Sequence, residues 1–338
     1  MSQSRSVRPV VVIPNWNGAD HISACLDSLI DQTLEPHIIV VDNGSKDNSL
    51  EILRKYTAVE VIEHPRNKGF AGGVNAGFKK AIADGFHYVA AFNNDAVADK
   101  RWLAELVDCL KSDPGVGIVT CKLLTSDGKR LDSTGDYYTS WGLPYPRGRG
   151  ETDIDKYDEQ TDIFAASGGA SLYRVSMLEK IGLFDEDFFA YYEDVDLSFR
   201  AQLAGWKICY VPQAKAYHQI GGTSSQHRGF TTYQTMKNLP LLLIKNVPRR
   251  YIFSIGWRFT LAHTLFFFRA IIRGNGWFAI KGDAVGTWLL FTGLRKRWHI
   301  QRSKVVSDEY IWKQIVHDLP PNARALRALR FKKGSPSA

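Results

Sequence analysis

The chain has 338 residues, of which 44% are hydrophobic and 23% are charged. This composition is that of a folded protein and excludes intrinsic disorder as the default, and the length is sufficient for one large core or two smaller ones. The net charge of +8 is unevenly distributed: from Lys245 onward there are 18 Lys and Arg against 4 Asp and Glu, or +14, whereas the preceding residues carry 25 against 31, or −6. We therefore expect the C-terminal part to meet an anionic surface and the acidic part to carry out chemistry.

The N-terminus and the cysteines favour an intracellular protein. Met1 to Pro9 is short, polar and basic, and it leads into an apolar run that is too short for a signal peptide. The four cysteines are far apart and form no C-x-x-C pair, so we expect them to be reduced and structural, and the protein to be cytoplasmic. They are Cys25, Cys109, Cys121 and Cys209.

The first hundred residues predict repeated β-α-β units. Val10 to Ile13 and Ile38 to Val41 are β-branched runs typical of buried parallel strands, and the intervening segment has helical periodicity with Asp20 as its expected N-cap. The further predicted elements are helix 49–56, strand 59–62, helix 73–83, strand 88–92, helix 102–110, strand 116–120, strand 171–173, a helix from Ser176 and a helix ending at Ala204. This alternation indicates an α/β fold whose ligands bind at the carboxyl ends of the strands.

Two regions depart from this alternation. Residues 123–161 are rich in Gly, Pro, Asp and Tyr, which predicts loops and short hairpins. After Val247, apolar and aromatic stretches are broken by single basic residues, and no uncharged stretch approaches the roughly 20 residues that span a bilayer. Four tryptophans among these stretches favour helices lying in a membrane interface, namely Trp257, Trp277, Trp288 and Trp298. The alternative is a helical lid whose apolar face packs on the rest of the protein.

Seven polar or glycine-rich motifs follow predicted strands or begin predicted helices. They are V-I-P-N-W-N (12–17), V-V-D-N-G-S (40–45), N-K-G-F-A-G-G-V-N (67–75), N-N-D (93–95), G-L-F-D-E (182–186), Y-E-D-V-D-L (192–197) and His218. In this order they resemble the family 2 glycosyltransferases of GT-A fold, and most closely the bacterial rhamnosyltransferase-type members. Each motif alone is weak evidence, but the ordered set is specific.

The resemblance runs from Val10 to about Asn246. It implies a GT-A catalytic domain over residues 1–246, with a nucleotide-binding β-α-β sheet inside a mixed central sheet. The basic helical region that follows, 247–338, is expected from its charge and aromatic residues to associate with membranes. The resemblance further implies an inverting transfer of a sugar, L-rhamnose in the nearest members, from a dTDP- or UDP-sugar to a saccharide acceptor on a polyprenyl diphosphate. Such a reaction serves cell-envelope polysaccharide synthesis at the inner face of the cell membrane, and residues 123–161 are the expected acceptor-facing insertion.

The expected donor site combines base recognition with diphosphate contacts. By resemblance, Asp42 accepts the imide N–H of uracil or thymine and Asn15 holds the base or ribose, although Asp42-Asn43-Gly44 is also a favourable turn sequence. The expected donor contacts are Pro14, Asn15, Asn17, Asp42, Asn67, Lys68, Gly69, Asn75, Asn93 and Asn94. Lys237-Asn238 stands where relatives often carry Arg-Asn, and a lysine cannot make the bidentate phosphate contact of an arginine.

The metal and the general base are also expected from the resemblance. Asn93-Asn94-Asp95 occupies the place of the family's Asp-x-Asp motif, so Asp95 and the distal His218 are the expected ligands of Mg²⁺ or Mn²⁺. Asp194 is the expected base that deprotonates the acceptor, while its neighbours Glu193 and Asp196 are equally typical of an acidic helix N-terminus. The expected acceptor contacts are Gly168, Gly169, Tyr192 and Glu193.

Other functions remain as alternatives. The segment after the first strand lacks both the G-x-G-x-x-G of a dehydrogenase and the basic glycine-rich signature of a nucleotidyltransferase. A transferase using another nucleotide sugar is possible, as is a degenerate membrane or nucleic-acid adaptor. The retained acidic residues oppose degeneration, and basic residues interleaved with long apolar runs suit lipid better than a phosphate backbone, so we expect no nucleic-acid partner.

Overall fold

The computed structural model describes residues 8–152, 154–219, 227–321 and 323. The N-terminal segment that was expected to lack a signal peptide, Met1 to Val7, lies outside the described residues. The same holds for the last part of the basic region, from Arg324 onward.

A mixed sheet of ten strands and a separate two-stranded hairpin form the framework of the described chain. The strands are β1 (Val10–Asn15), β2 (His37–Asp42), β3 (Val59–Glu63), β4 (Tyr88–Phe92), β5 (Ala96–Ala98), β6 (Val116–Thr125), β7 (Leu131–Ser133), β8 (Asp136–Tyr138), β9 (Pro144–Pro146), β10 (Thr161–Asp162), β11 (Ala170–Arg174) and β12 (Lys207–His218). The order across the sheet is β10-β12-β6-β11-β4-β1-β2-β3, with β5 beside β12 and β7 beside β6, while β8 and β9 form the hairpin. The expected α/β fold with a mixed central sheet is confirmed.

Helices cover both faces of the sheet and continue beyond it. They are α1 (Ile22–Ile30), α2 (Ser49–Leu53), α3 (Gly69–Ala83), α4 (Trp102–Ser112), α5 (Val175–Ile181), α6 (Glu193–Leu203), α7 (Phe230–Asn246), α8 (Ile252–Ile272), α9 (Gly276–Arg302) and α10 (Asp308–Gln314). Short 3₁₀ segments lie at Asp155–Tyr157, Glu186–Phe188 and Arg249–Tyr251.

The strands of the N-terminal half are β-branched because the sheet is buried on both faces. In β1, Val11 and Ile13 pack with α1 and α4 on one face, whereas Val10 and Val12 pack with α3 on the other. β1 is parallel to β2 and β4, and its register places Asn15 beside Asp42. The polar residues that follow these strands therefore share one edge of the sheet.

The antiparallel strand β11 brings later segments to the same edge. It pairs Ala170 with Phe92 of β4, so that Asn93 donates its backbone N–H to the Gly169 carbonyl at 2.8 Å. At the end of β12, His218 pairs with Ala96 of β5. Residues separated by more than a hundred positions in the sequence thus meet at one end of the sheet.

Two local expectations were wrong. Asp20 does not cap α1, since the helix begins at Ile22 with His21 at the N-cap position and no side-chain cap. Helix α3 begins at Gly69 rather than residue 73, so the glycine-rich segment expected as a loop is the first turn of the helix. Its glycines are needed for packing, since a Cβ on Gly73 would lie 2.6 Å from Asn43 Nδ2 and one on Gly77 would lie 2.4 Å from Val12.

The C-terminal helices pack on the rest of the chain through one face only. A Cβ on Gly282 or Gly286 of α9 would lie within 3 Å of the α7 backbone, so these glycines permit close packing of the two helices. The opposite faces of α8 and α9 are apolar and exposed. Of the fifteen exposed large hydrophobic residues among those described, twelve lie on these two helices, namely Phe253, Trp257, Leu261, Phe268, Ile271, Ile272, Trp277, Ile280, Trp288, Phe291, Leu294 and Trp298.

The packing of these helices extends across the expected boundary at Asn246. Residues on either side of it, including Leu242 of α7 and Phe259 of α8, contribute to one buried cluster that also contains Val195 and Phe199 of α6. Within the described ranges, no helix combines the length and apolarity that crossing a bilayer requires. The four cysteines are all buried and form no disulfide.

Candidate active site

A cavity of about 980 Å³ opens at the carboxyl edge of the sheet. Thirteen of the residues expected to bind donor, metal or acceptor line it: Pro14, Asn15, Asn67, Gly69, Asn93, Asn94, Asp95, Gly168, Gly169, Tyr192, Glu193, Asp194 and His218. Four expected donor residues do not line it: Asn17, Asp42, Lys68 and Asn75. The fold therefore brings expected donor, metal and acceptor residues to one cavity.

The four residues outside the cavity wall have structural partners or face solvent. Asn75 is buried, and its amide exchanges hydrogen bonds with the backbone of Phe184 at 2.9 and 3.1 Å and donates to Glu186. Asn17 has a φ of 50° and accepts from the Lys46 backbone in a turn. Lys68 is exposed at the start of α3. Asn75 and Asn17 thus have partners within the protein, and their contacts with the donor stay predictions.

Asp42 does not line the cavity but binds residues next to it. Its side chain is 1% exposed and accepts hydrogen bonds from Asn15 Nδ2 at 3.1 Å, from Ser45 N at 2.9 Å and from Ser45 Oγ at 2.5 Å. Asn15 in turn accepts from Asn94 Nδ2 at 2.8 Å. In this arrangement Asp42 orients Asn15 and Ser45, and Asn15 and Asn94 are the members of the network that line the cavity.

Asp95 and His218 lie together on one side of the cavity. Asp95 Oδ1 is 3.1 Å from His218 Nε2, and the Asn93 amide nitrogen is 3.0 Å from the same ring nitrogen. Burial alone would lower the pKa of His218, but hydrogen bonds and charge from Asp132 and Asp95 raise it to about 9. The pair places one carboxylate oxygen and one imidazole nitrogen next to each other.

These two side chains fit a divalent cation that also binds the substrate. At about 2.1 Å from the ion, adjacent ligands of an octahedral Mg²⁺ or Mn²⁺ are about 3.0 Å apart, close to the separation of Asp95 Oδ1 and His218 Nε2. Across the described residues, no three His, Cys, Asp or Glu side chains surround a common metal position. The remaining ligands would therefore be diphosphate oxygens and water.

Asp132 is a member of this cluster that the sequence did not reveal. Its carboxylate is buried on β7, lies 2.8 Å from His218 Nδ1 and pairs with Arg149, also at 2.8 Å. A carboxylate on the far nitrogen of a histidine fixes the ring orientation and strengthens the nitrogen that faces the metal. Asp132 lies in the weakly patterned segment after residue 123, where no motif marked it.

We expect Asp132→Ala to weaken cation binding by about 10- to 100-fold, because His218 would lose the partner that orients it. The affinity for Mn²⁺ in the presence of a nucleoside diphosphate, measured by calorimetry, checks this. Asp127→Asn, which alters an exposed turn carboxylate in the same insertion, is the matched control. Equal Mn²⁺ affinity of Asp132→Ala and the wild type, with both folded, would remove Asp132 from the site.

Asp194 lines the cavity from the first turn of α6. Its Oδ2 accepts the Gly168 N–H and its Oδ1 the Val195 N–H, both at 2.8 Å. Burial raises the pKa of Asp194 above its ordinary value, although these two hydrogen bonds oppose the shift. A Cβ on Gly168 would lie 3.2 Å from Asp194 Cβ, so glycine permits this close approach.

The neighbouring acids differ from Asp194 in their surroundings. Asp196 is fully buried and bound to Lys245, Arg200 and Asn246, so it stabilises the junction of α6 and α7. Glu193 is 5% exposed, its Oε2 has no hydrogen-bond partner, and burial raises its pKa well above the ordinary value. Of the three acids, Asp194 is the one that lines the cavity and has two backbone N–H groups bound to its carboxylate.

The loop before α6 is held in an unusual backbone conformation. Phe189, Tyr191 and Tyr192 have φ values of 63°, 69° and 72°, a region that residues other than glycine rarely adopt. The Asn238 amide on α7 donates to the carbonyls of Phe188, Ala190 and Tyr191 at 2.8 to 2.9 Å. Lys237 donates to the Asp187 and Phe188 carbonyls. The Lys237-Asn238 pair therefore supports this loop.

Comparison with known proteins agrees with this arrangement. The sequence model of the family described as Glycosyl transferase family 2 matches residues 10–182. The chain is 28% identical over 233 residues to N-acetylglucosaminyl-diphospho-decaprenol L-rhamnosyltransferase of Mycobacterium tuberculosis, an alignment that covers 63% of this chain and 76% of that protein.

Solved structures show the same fold at low identity. GalNAc-T7 with UDP, GalNAc and Mn²⁺ superposes with a TM-score of 0.57 at 18% identity, covering 72% of this chain and 48% of that one. Residues 1–349 of Staphylococcus aureus TarS in complex with UDP-GlcNAc superpose with a TM-score of 0.55 at 16% identity, covering 88% and 91%. The fold, the cavity and the matched residues together show that this chain belongs to glycosyl transferase family 2 and has the GT-A fold.

Proposed function

We propose that this chain is a metal-dependent inverting transferase that moves L-rhamnose from a dTDP- or UDP-sugar to a saccharide carried on a polyprenyl diphosphate. The observation that carries the proposal is that one cavity contains the Asp95–His218 pair and, on its acceptor side, the carboxylate of Asp194. The relative named as a rhamnosyltransferase acting on a diphospho-decaprenol acceptor supports the choice of sugar and acceptor. Cell-envelope polysaccharide synthesis is the process that such a reaction serves.

In the proposed reaction, the acceptor hydroxyl oxygen forms a bond to the anomeric carbon as the bond from that carbon to the diphosphate oxygen breaks. The acceptor proton passes to Asp194, and the nucleoside diphosphate leaves. The raised pKa of Asp194 suits this role, because a more basic carboxylate accepts a proton more readily. Asp95 and His218 would hold Mg²⁺ or Mn²⁺, which when bound neutralises the leaving diphosphate.

A donor panel tests the proposal. Purified protein is incubated with Mn²⁺, a short-chain N-acetylglucosaminyl diphosphate lipid and, in turn, dTDP-rhamnose, UDP-N-acetylglucosamine, UDP-galactose and GDP-mannose, and the glycolipid product is identified by mass spectrometry. We expect the rhamnosyl product from dTDP-rhamnose. Transfer from another donor would keep the reaction class and correct the sugar, and no transfer from any donor would favour a non-catalytic adaptor.

We further propose that the exposed apolar faces of α8 and α9 bind the cytoplasmic face of the cell membrane. Here Trp277, Trp288 and Trp298 are between 56% and 69% exposed, and Lys281 and Arg295 are exposed on the same helix. Tryptophan and basic residues on one helix surface suit a headgroup region that contains anionic lipid. The opposite face of the same helices packs on α7, so docking on the protein and docking on lipid use different residues of one helix pair.

Sedimentation with vesicles containing anionic lipid checks the membrane proposal. Removing two partly inserted rings at about 1.5 kcal/mol each should weaken partitioning of Trp288→Ser/Phe291→Ser by about 100-fold. The matched control, Ile30→Ser/Val305→Ser, removes two exposed hydrophobic residues that lie elsewhere, and it should sediment like the wild type. Wild-type protein that stays in the supernatant at low salt would contradict membrane binding.

A further inference from the structure

A second carboxylate, Asp136, lies on the wall of the active-site cavity. Its backbone is fixed on both sides, because Asp136 N donates to Ala165 O at 2.7 Å, Ala165 N donates back at 3.0 Å, and Asp136 pairs with Pro146 across the β8–β9 hairpin. The carboxylate is therefore held in place by strand pairing and not by contacts of its own side chain.

The Asp136 side chain is buried without a partner. It is 8% exposed, and its carboxylate forms no hydrogen bond or ion pair with any residue that the structure describes. By contrast, Asp132 on the neighbouring strand is bound to His218 and Arg149. Because Asp136 lines the cavity and its carboxyl group is not engaged by the protein, its oxygens are available to a ligand that enters.

The groups facing Asp136 favour its neutral form. Burial raises the pKa of Asp136 to about 8, and the nearby charge of Asp194 on α6 contributes, while Arg149 opposes the shift and Asp132 on β7 reinforces it. Asp194 accepts two backbone N–H groups, which favour its charged form. Near neutral pH, Asp136 is thus a carboxylic acid that can both donate and accept a hydrogen bond.

The surface beside Asp136 is typical of a sugar site. Pro144, Tyr145 and Pro146 of β9 line the cavity next to it and offer flat apolar surfaces to the C–H face of a pyranose ring. A neutral acid that donates to one oxygen and accepts from another matches neighbouring hydroxyls on such a ring. These features all lie on the insertion between β6 and β11, on the same cavity as Asp194.

We propose that Asp136, supported by the β8–β9 hairpin, binds hydroxyl groups of the acceptor sugar and so presents the reacting hydroxyl to Asp194. This inference rests on the proposed transferase function and extends it by assigning an acceptor subsite that the sequence motifs did not include. Loss of the side chain should weaken acceptor binding without changing donor binding.

The test uses full-length protein, dTDP-rhamnose and the short-chain N-acetylglucosaminyl diphosphate lipid. We expect Asp136→Ala to raise the acceptor KM by about 10- to 100-fold, the cost of one or two lost hydrogen bonds. Asp136→Asn, which keeps a donor and an acceptor, should stay within a few fold of the wild type. The dTDP affinity from calorimetry and the Tm should stay near wild-type values in both variants, and Asp127→Asn is the matched control.

The pH dependence separates this role from a purely structural one. Asp136 is protonated below its raised pKa, so acceptor binding should be strongest there, and the wild-type acceptor KM should rise as the pH passes about 8. Asp136→Asn cannot ionise and should lose that rise. An unchanged acceptor KM in Asp136→Ala, or an undiminished alkaline rise in Asp136→Asn, would overturn the assignment while the transferase function stands. An inactive wild-type protein would overturn both.

Discussion

Asp194→Asn should lower kcat for glycosyl transfer by roughly 10²- to 10⁴-fold, the usual cost of losing a general base. The amide keeps the shape of the side chain but cannot take the acceptor proton. The affinity for the nucleoside diphosphate should change little, because Asp194 lies on the acceptor side of the cavity and its hydrogen bonds are to Gly168 and Val195. Steady-state kinetics with saturating donor, together with calorimetric dTDP binding, measure the two effects separately.

The neighbouring acids provide the controls for this experiment. Glu193→Gln should retain measurable turnover, since burial raises the pKa of Glu193 and so favours the neutral form that a glutamine resembles. Asp196→Asn should lower the Tm, because Lys245 would lose a buried counter-charge. Transfer that survives in Asp194→Asn and disappears in Glu193→Gln, with both variants folded, would move the base to Glu193.

The pH profile of kcat gives a second measure of the same group. A base works only when ionised, so activity should fall as the pH drops through the pKa of Asp194. Burial raises that pKa, which places the acidic limb above the usual range of an aspartate. An acidic limb at the ordinary aspartate value would indicate a more solvated base.

The second large effect is expected at the cation site. Asp95→Ala should lower turnover by several orders of magnitude, and EDTA should do the same to the wild-type protein, because the leaving diphosphate would lose its counter-charge. Mn²⁺ binding in the presence of dTDP, followed by electron paramagnetic resonance, gives a readout that does not depend on activity. Asp99→Asn, a conservative change at the turn after β5, serves as the control. Wild-type turnover in both EDTA-treated protein and Asp95→Ala would show that no metal is needed.

The N-terminal half of the fold could be predicted because its determinants are local. β-Branched runs of four residues specify buried parallel strands, and their pairing in register necessarily places Asn15 beside Asp42. The error in α3 has an equally local origin: a glycine-rich segment before residue 73 is typical of a loop, whereas Gly69 and Gly72 lie in the helix. A Cβ on Gly69 would lie 2.3 Å from the Phe189 carbonyl oxygen, so this glycine permits close packing.

The acidic residues of the candidate site could be predicted only in part. Asp194 lies in a recognisable motif, whereas Asp132 and Asp136 lie in short strands without periodicity, and their roles depend on contacts with distant segments. Asp132 meets His218 across 86 positions of the sequence. No pattern within a window of residues contains that information, because it arises from the pairing of β6 with β7 and β12.

The C-terminal helices show a different limit of sequence interpretation. Hydrophobic periodicity could not distinguish a packed lid from a membrane-facing helix, and the structure shows why: α9 has small residues such as Gly282 and Gly286 on one face and large aromatic residues on the other. The glycine face packs on α7, and the aromatic face is exposed. A helix that is apolar on both faces gives no strong amphipathic signal.

The anomeric configuration of the product tests the central proposal most directly. Purified protein, Mn²⁺, dTDP-rhamnose and the short-chain N-acetylglucosaminyl diphosphate lipid are incubated, and the new glycosidic bond is assigned by the one-bond carbon–proton coupling in NMR. A single displacement with Asp194 as base predicts a rhamnosyl linkage whose configuration is opposite to that of the donor, absent from the Asp194→Asn reaction. A product that retains the donor configuration would contradict the proposed mechanism.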